Sequence, residues 1–450
     1  MPDLARSIGA RGLTASLFNT TVGAGIFALP AVVAQMLGRS SLYAYLACAL
    51  VMACIVLSFA VAGSRVPRAG GTYAYTEAAF GPFVGFLGGA MVWLSDVLAS
   101  AAVVSGLVAA IGAYADPLST PGARLLLLAV ILGGLAWVNI RGVRHGTRVV
   151  EGLTVVKLLP LLVLVAAGVW QAGPSMFQVG PLPEPSSIGR ATLVLIFAFS
   201  GAETALALSG EIARPSRTIP QALIVALVLI TGLYVAIHLA AAAALGAALP
   251  TTPDATLAAA AGALIGPAGQ ALLLAATVMS MFGYMSAVVL STPRLVFAMG
   301  RRGVLPAWAG RIHPRWHTPA TAIASHTVVL FLVAATGTFA SLAGFASVSV
   351  VSVYLLACVS AMQLQRTDTV MTEAADAATF DPTANDLRPT PFRVPLLILA
   401  LGAVVCVVLL MQATAPEILV EGAVLIVASA WYFGRCWYVE RSRRDASVTA

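Results

Sequence analysis

Apolar runs long enough to cross a bilayer recur twelve times along this chain, and that count constrains every fold open to it. About 20 residues of α-helix span the ~30 Å hydrocarbon core. Within it, each backbone N–H and C=O must find a partner inside the protein. The runs cover 12–37, 42–63, 82–113, 123–140, 149–171, 188–210, 219–246, 268–299, 319–336, 340–363, 391–412 and 417–437. A further apolar stretch at 257–266 is too short to span and is expected at the outer surface. Only 10% of the residues are charged, against about 25% in soluble domains. The expected fold is therefore an all-α polytopic membrane protein with twelve transmembrane helices. Met1–Arg11 is short and polar, without the apolar core and small-residue site of a cleaved leader, so the first run is expected to stay in the membrane.

Arginine placement sets the topology. With the N-terminus in the cytoplasm, 21 arginines fall inside and only 3 (Arg39, Arg124 and Arg190) outside. This satisfies the positive-inside rule, puts both termini in the cytoplasm, and would be scrambled by adding or removing one span. The net charge of +7 thus reflects topology in a cell (inner) membrane rather than affinity for nucleic acid. The five cysteines lie in or beside apolar runs without paired spacing, so neither a disulfide framework nor a metal site is expected, and no cofactor. The polar, acidic stretch from Arg366 to Pro391 reads as a flexible cytoplasmic loop.

Two of the runs are poor helices. In the first, Thr20-Thr21-Val22-Gly23-Ala24-Gly25-Ile26-Phe27-Ala28-Leu29-Pro30 places two glycines, two β-branched threonines and a proline within three turns. Glycine in a helix interior costs up to ~1 kcal/mol and proline ~3 kcal/mol relative to alanine. Broken backbone survives at membrane depth only where it lines a cavity, so Val22–Ile26 reads as a built-in break. The sixth run holds a second one, Phe197-Ala198-Phe199-Ser200-Gly201-Ala202-Glu203-Thr204. Runs one and six correspond if helices 1–5 (12–172) and 6–10 (188–363) are two repeats, and paired interruptions of this kind mark a midplane binding site. Five is odd, so the repeats must be inverted. Helices 11 and 12 (391–437) follow, giving one domain over 1–437 and a cytoplasmic tail at 438–450. Helix N-termini at the breaks suit a carboxylate, and bare carbonyls at the opposing ends suit an ammonium. A site with both poles fits an α-amino acid.

These residues carry a resemblance. Gly23-x-Gly25-Ile26-Phe27-x-x-Pro30, Pro67-x-Ala69-Gly70-Gly71-x-Tyr73-x-Tyr75 running on to Phe80-Gly81-Pro82, Phe199-Ser200-Gly201-Ala202-Glu203 with Glu211-x-x-x-Pro215-x-Arg217-x-x-Pro220, and Pro293-Arg294-x-x-x-Ala298-Met299 with Gly303-x-Leu305-Pro306 occur in order. Together they resemble the amino acid–polyamine–organocation (APC) superfamily of permeases, of the sodium-independent amino-acid transporter type. The resemblance implies a LeuT-like 5+5 inverted-repeat fold with helices 1 and 6 broken, alternating access, and transport of amino acids or related amines.

It also implies roles. Substrate is expected on Val22, Gly23, Ala24, Gly25 and Ile26, and on Ser200, Gly201 and Ala202. Lys157, the sole lysine, resembles a helix 5 lysine that replaces a sodium ion bridging helices 1 and 8; snorkelling to the surface is the competing account. Glu203 sits where the family places an acid, for proton coupling or for fixing the unwound segment. Phe197 and Phe199 resemble the family's gate, with Trp93 as a wall, against plain aromatic packing. Asp96 departs from the pattern of the family's basic amino-acid antiporters, whose helix 3 position that looks equivalent carries a neutral amide near the substrate side chain. It could pair with a cationic substrate tail, pair with Lys157, or be protonated and pack. Tyr284, Ser286 and Tyr354 are placed by helix position alone.

The function expected is secondary transport of amino acids, sodium-independent, by proton symport or exchange. An exporter, or an antiporter swapping a cationic amino acid for its amine, is the alternative. Expected partners are the amino acid, protons and the bilayer, with a homodimer left open. A membrane enzyme would need a nucleophile or metal motif, and neither G-x-S-x-G nor H-E-x-x-H occurs. A channel would need a filter motif or charged ring, and none is evident.

Overall fold

The computed structural model describes residues 9–66, 70–112, 120–141, 146–201, 203, 206, 212–251, 255–371 and 391–448. In chain order the helices are α1 (Ala10–Thr21), α2 (Gly25–Leu37), α3 (Ser41–Arg65), α4 (Thr72–Phe80), α5 (Pro82–Gly112), α6 (Pro121–Arg141), α7 (Gly146–Ala172) and α8 (Pro185–Phe199). They continue as α9 (Pro215–Leu245), α10 (Thr256–Ile265), α11 (Pro267–Arg301), α12 (Ala320–Thr336), α13 (Phe339–Arg366), α14 (Leu396–Leu410) and α15 (Ala415–Val448).

Seven helical stretches are long and apolar enough to cross a membrane by length and composition, and shorter apolar helices accompany them. Their outer faces are greasy: Leu159, Leu162, Trp170, Leu397, Ile426 and Trp437 are all exposed. An exposed apolar surface of this extent is suited to lipid rather than water. The chain is thus a multi-pass membrane protein whose described elements are all helices.

The first apolar run is two helices, α1 and α2, parted at Val22–Ala24. Pro30 lies inside α2, a turn past the break rather than at it. The motif after α3 folds into the short helix α4; its Pro67–Ala69 portion lies outside the described residues, as does Glu211. The 257–266 stretch becomes α10, packed on α9 and α11 with Leu257, Ala258, Ala260 and Ala261 buried. Of the acidic loop, 372–390 lies outside the described residues. The last helix runs on to Val448, through residues such as Glu440, Arg441 and Ala446 that favour helix.

The contacts that position the site are α1 on α9, α2 on α8, α3 on α8 and α9, and α5 on both α11 and α13. Ion pairs tie the two ends of the bundle. At one end, the fully buried Arg65 bonds Asp368 at 3.0 Å, and Arg393 bonds the same carboxylate at 2.7 Å. At the other, Arg190 of α8 grips Glu417 of α15 through two hydrogen bonds of 2.9 and 3.0 Å.

Candidate functional site

The first break begins with residues that cannot hold a helix together. Thr20 turns its hydroxyl back onto the carbonyls of Ser16 and Leu17 at 3.0 and 3.1 Å. Val22 leaves the helical region with ψ 73°, and the helix resumes at Gly25. Three of the carbonyls around the break meet side chains. Lys157 Nζ donates to Asn19 O at 2.8 Å and Val22 O at 2.7 Å, and the Tyr234 hydroxyl lies 2.9 Å from Thr21 O.

The second break follows α8. Ser200 is extended, with ψ 160°, and Gly201 sits at φ +122°, a conformation that only glycine adopts without strain. Space also demands it, since a Cβ there would lie 2.8 Å from Thr20 O. The two breaks therefore touch backbone to backbone. The Glu203 carboxylate closes the second one: Gly201 N–H points at Oε1 and Oε2 at 3.0 and 3.1 Å, and the Tyr354 hydroxyl donates to Oε2 at 2.9 Å. Tyr234 also stands 2.9 Å from Ala198 O, so one phenol spans both breaks.

Between them lies a cavity of about 90 Å³. One water needs only about 10–15 Å³ on this measure, so the space suits several waters or a small molecule. Of the residues expected at the site, Gly23, Ala24, Gly25, Asp96, Lys157, Phe197, Ser200, Gly201, Glu203 and Tyr284 line this cavity. Asn19, Ser95, Ser280 and Gly283 also line it, unforeseen from sequence. Ala202 lies outside the described residues.

Six expected residues are off the wall, among them Tyr354, which meets the site only by bonding Glu203. Ile26 is buried, and Val22 reaches the site only through its carbonyl. Phe199, two residues beyond Phe197 and so about 200° around the helix, packs edge-on against Tyr234 with ring centroids 5.0 Å apart. Phe197 faces the cavity and meets Phe339 edge-on at 5.6 Å. Trp93 packs beside Val296 and Ala322, with its ring near His326. Ser286, opposite Tyr284 around α11, bonds its own helix at Phe282 O.

Asp96 accepts a hydrogen bond from Thr292 of α11 at 2.9 Å. It forms no ion pair with Lys157 among the described residues. Both Lys157 hydrogen bonds go to the first segment, and none among the described residues reaches α11. No His, Cys, Asp or Glu cluster among the described residues could hold a metal ion.

A membrane-embedded helix bundle with two helix breaks around a small cavity that holds a few charged side chains defines a carrier-like class of protein, and sequence relationships make the family specific. Residues 8–433 match the amino acid permease family, and the chain belongs to it. It is 30% identical over 340 residues to the serine/threonine exchanger SteT of Bacillus subtilis, covering 73% of this chain and 76% of that one. It is 26% identical over 378 residues to the branched-chain amino acid permease BcaP of Lactococcus lactis, covering 77% and 79%. It is also 26% identical over 337 residues to the mouse large neutral amino acids transporter small subunit 2, covering 71% and 63%. The chain is an amino-acid permease of the APC superfamily and not an enzyme.

Proposed function

We propose that this permease is a sodium-independent secondary transporter that moves α-amino acids by alternating access, in exchange or proton-coupled mode. The observation that carries the reading is that both helix breaks open onto one cavity while Lys157 occupies the carbonyls of Asn19 and Val22. Bare carbonyls in a membrane protein are the natural seat of a monovalent cation. Here an ammonium fixed to α7 fills them, so no dissociable sodium ion is needed. The opening turn of α2 presents N–H groups suited to a substrate carboxylate. The SteT and BcaP relatives favour amino-acid substrates, and the name of SteT favours exchange.

The same reading has the chain cross the membrane twelve times. Taking α1 with α2 as one crossing, and α8 with the segment beyond it as another, α3, α5, α6, α7, α9, α11, α12, α13, α14 and α15 supply ten more. The breaks then fall in the first and sixth crossings, as a 5+5 inverted repeat requires, and an even count returns both termini to the arginine-rich cytoplasmic side. Glu203 holds the second break in shape, Phe197 covers the cavity, and Lys157 couples the cavity to α1.

The test is uptake of labelled amino acids into proteoliposomes holding the purified chain. Counterflow driven by internal unlabelled amino acid, unchanged when potassium replaces sodium, is the expected result. A strict sodium requirement, or single-channel currents without saturable flux, would overturn it.

A further inference from the structure

The cavity wall carries three ionisable side chains, Lys157, Glu203 and Asp96, and their hydrogen bonding is unequal. Lys157 is engaged by two carbonyls. Glu203 is engaged by an amide and a phenol. Asp96 has one protein donor among the described residues, Thr292, bonded to Oδ2. An ionised carboxylate offers about four lone-pair sites, so most of its accepting capacity, including all of Oδ1, is left to whatever occupies the cavity. With one lysine and two carboxylates, the fully ionised wall is one positive charge short. A carboxylate away from bulk water needs a compensating charge or a proton.

The surroundings of Asp96 do not supply that charge. Across the cavity stand Glu203, itself an acid, the neutral phenol of Tyr284, and Lys157, which is turned to α1. From α13 only Ala346 and Val350 line the space. From α12, His326 packs near Trp93, one turn of α5 away, without a hydrogen bond to either ring nitrogen. The missing charge has to arrive through the cavity.

We propose that Asp96 is a single seat taken either by a proton or by the ammonium group on a substrate's side chain, never by both. Neutral amino acids bind with Asp96 protonated, and cationic amino acids bind with it ionised. One site then admits both classes and sorts them by coupling: the neutral substrate travels with a proton and the cationic substrate replaces it. This rests on the transport reading above, because the helix breaks must hold the α-amino and α-carboxyl groups for a side chain to reach α5.

The experiment is titration calorimetry of the purified full chain in two buffers of different ionisation enthalpy, which counts protons exchanged on binding. Ornithine is compared with norleucine, and 2,4-diaminobutyrate with homoserine, pairs in which an ammonium replaces a methyl or a hydroxyl of similar size. The proton counts within a pair are expected to differ by about one in the wild-type chain. In Asp96→Asn the difference vanishes, and the ratio of cationic to neutral affinity falls by about tenfold or more. Thr292→Val, which keeps the carboxylate, retains the difference. Equal proton counts in the wild type, or binding of the neutral members alone, would overturn the proposal even if Asp96→Asn fails to fold. Binding of no amino acid at all would instead overturn the transport reading beneath it.

Discussion

Gly23 and Gly25 look interchangeable in the sequence, yet a single methyl group should separate them sharply. A Cβ on Gly25 would lie 2.7 Å from Ala198 Cα and 2.8 Å from Ala198 Cβ, against backbone that has nowhere to turn. Carbon atoms rest at about 3.5–4.0 Å, so Gly25→Ala must push α2 and α8 apart by about 1 Å. Overpacking of this kind costs about 1–3 kcal/mol. At 1.4 kcal/mol per factor of ten, that is about a 5- to 150-fold loss of affinity if the strain falls on the state that holds substrate. A Cβ on Gly23 would meet the Tyr284 ring at 3.5 Å and two backbone oxygens at 3.9 Å, all ordinary contacts, so Gly23→Ala should lose no more than a few-fold. Binding isotherms on the two purified variants, with substrate-induced thermal shift as the check on folding, make the comparison. Equal affinities for the two variants would refute the argument that backbone contact between α2 and α8 shapes the site.

Other outcomes follow from single contacts. Lys157→Met removes both donors to the end of α1, charge-assisted bonds of about 1.5–3 kcal/mol each; hydrogen exchange of the peptide spanning 19–25 should quicken and transport should fall at least about tenfold. Arg190→Ala strands Glu417, whose side chain is only 6% exposed, at a cost of about 3–5 kcal/mol. Adding Glu417→Gln should recover most of that in an unfolding assay, whereas additive losses would argue against the pair. The Arg65 hydrogen bond, helped by Arg393, holds the Asp368 carboxyl below the usual carboxylate range. A lowered folded value means that the contact contributes above the unfolded value of about 3.9 and is lost as pH falls through the lower folded one. Exchange protection of the Met371 amide, which bonds Arg65 O, should therefore hold at neutral pH and fail only in stronger acid. In Asp368→Asn that acid step should be gone.

Much of this was legible before any coordinates, because the penalty for breaking a helix in lipid leaves a mark in composition. Glycines and β-branched residues in the first and sixth runs located both breaks, and a lone lysine in an apolar helix flagged itself. What failed was rotation. Phe197 and Phe199, or Tyr284 and Ser286, differ by two positions, and only packing decides which of each pair looks inward. Trp93 went the same way, drawn to α12 by apolar neighbours. Tyr234 was invisible, since a tyrosine midway along an apolar helix has no sequence pattern that tells a bridge from ordinary filling.

That tyrosine has a consequence in simple counting. Its hydroxyl owns one hydrogen, and two carbonyls, from Thr21 and Ala198, wait for it at the same 2.9 Å. A full-strength bond can serve one of them at a time, so whichever segment holds the hydrogen is steadied while its neighbour is loosened. The two interrupted helices are thereby yoked like the pans of a balance, and a disturbance that reaches one is felt at once by the other.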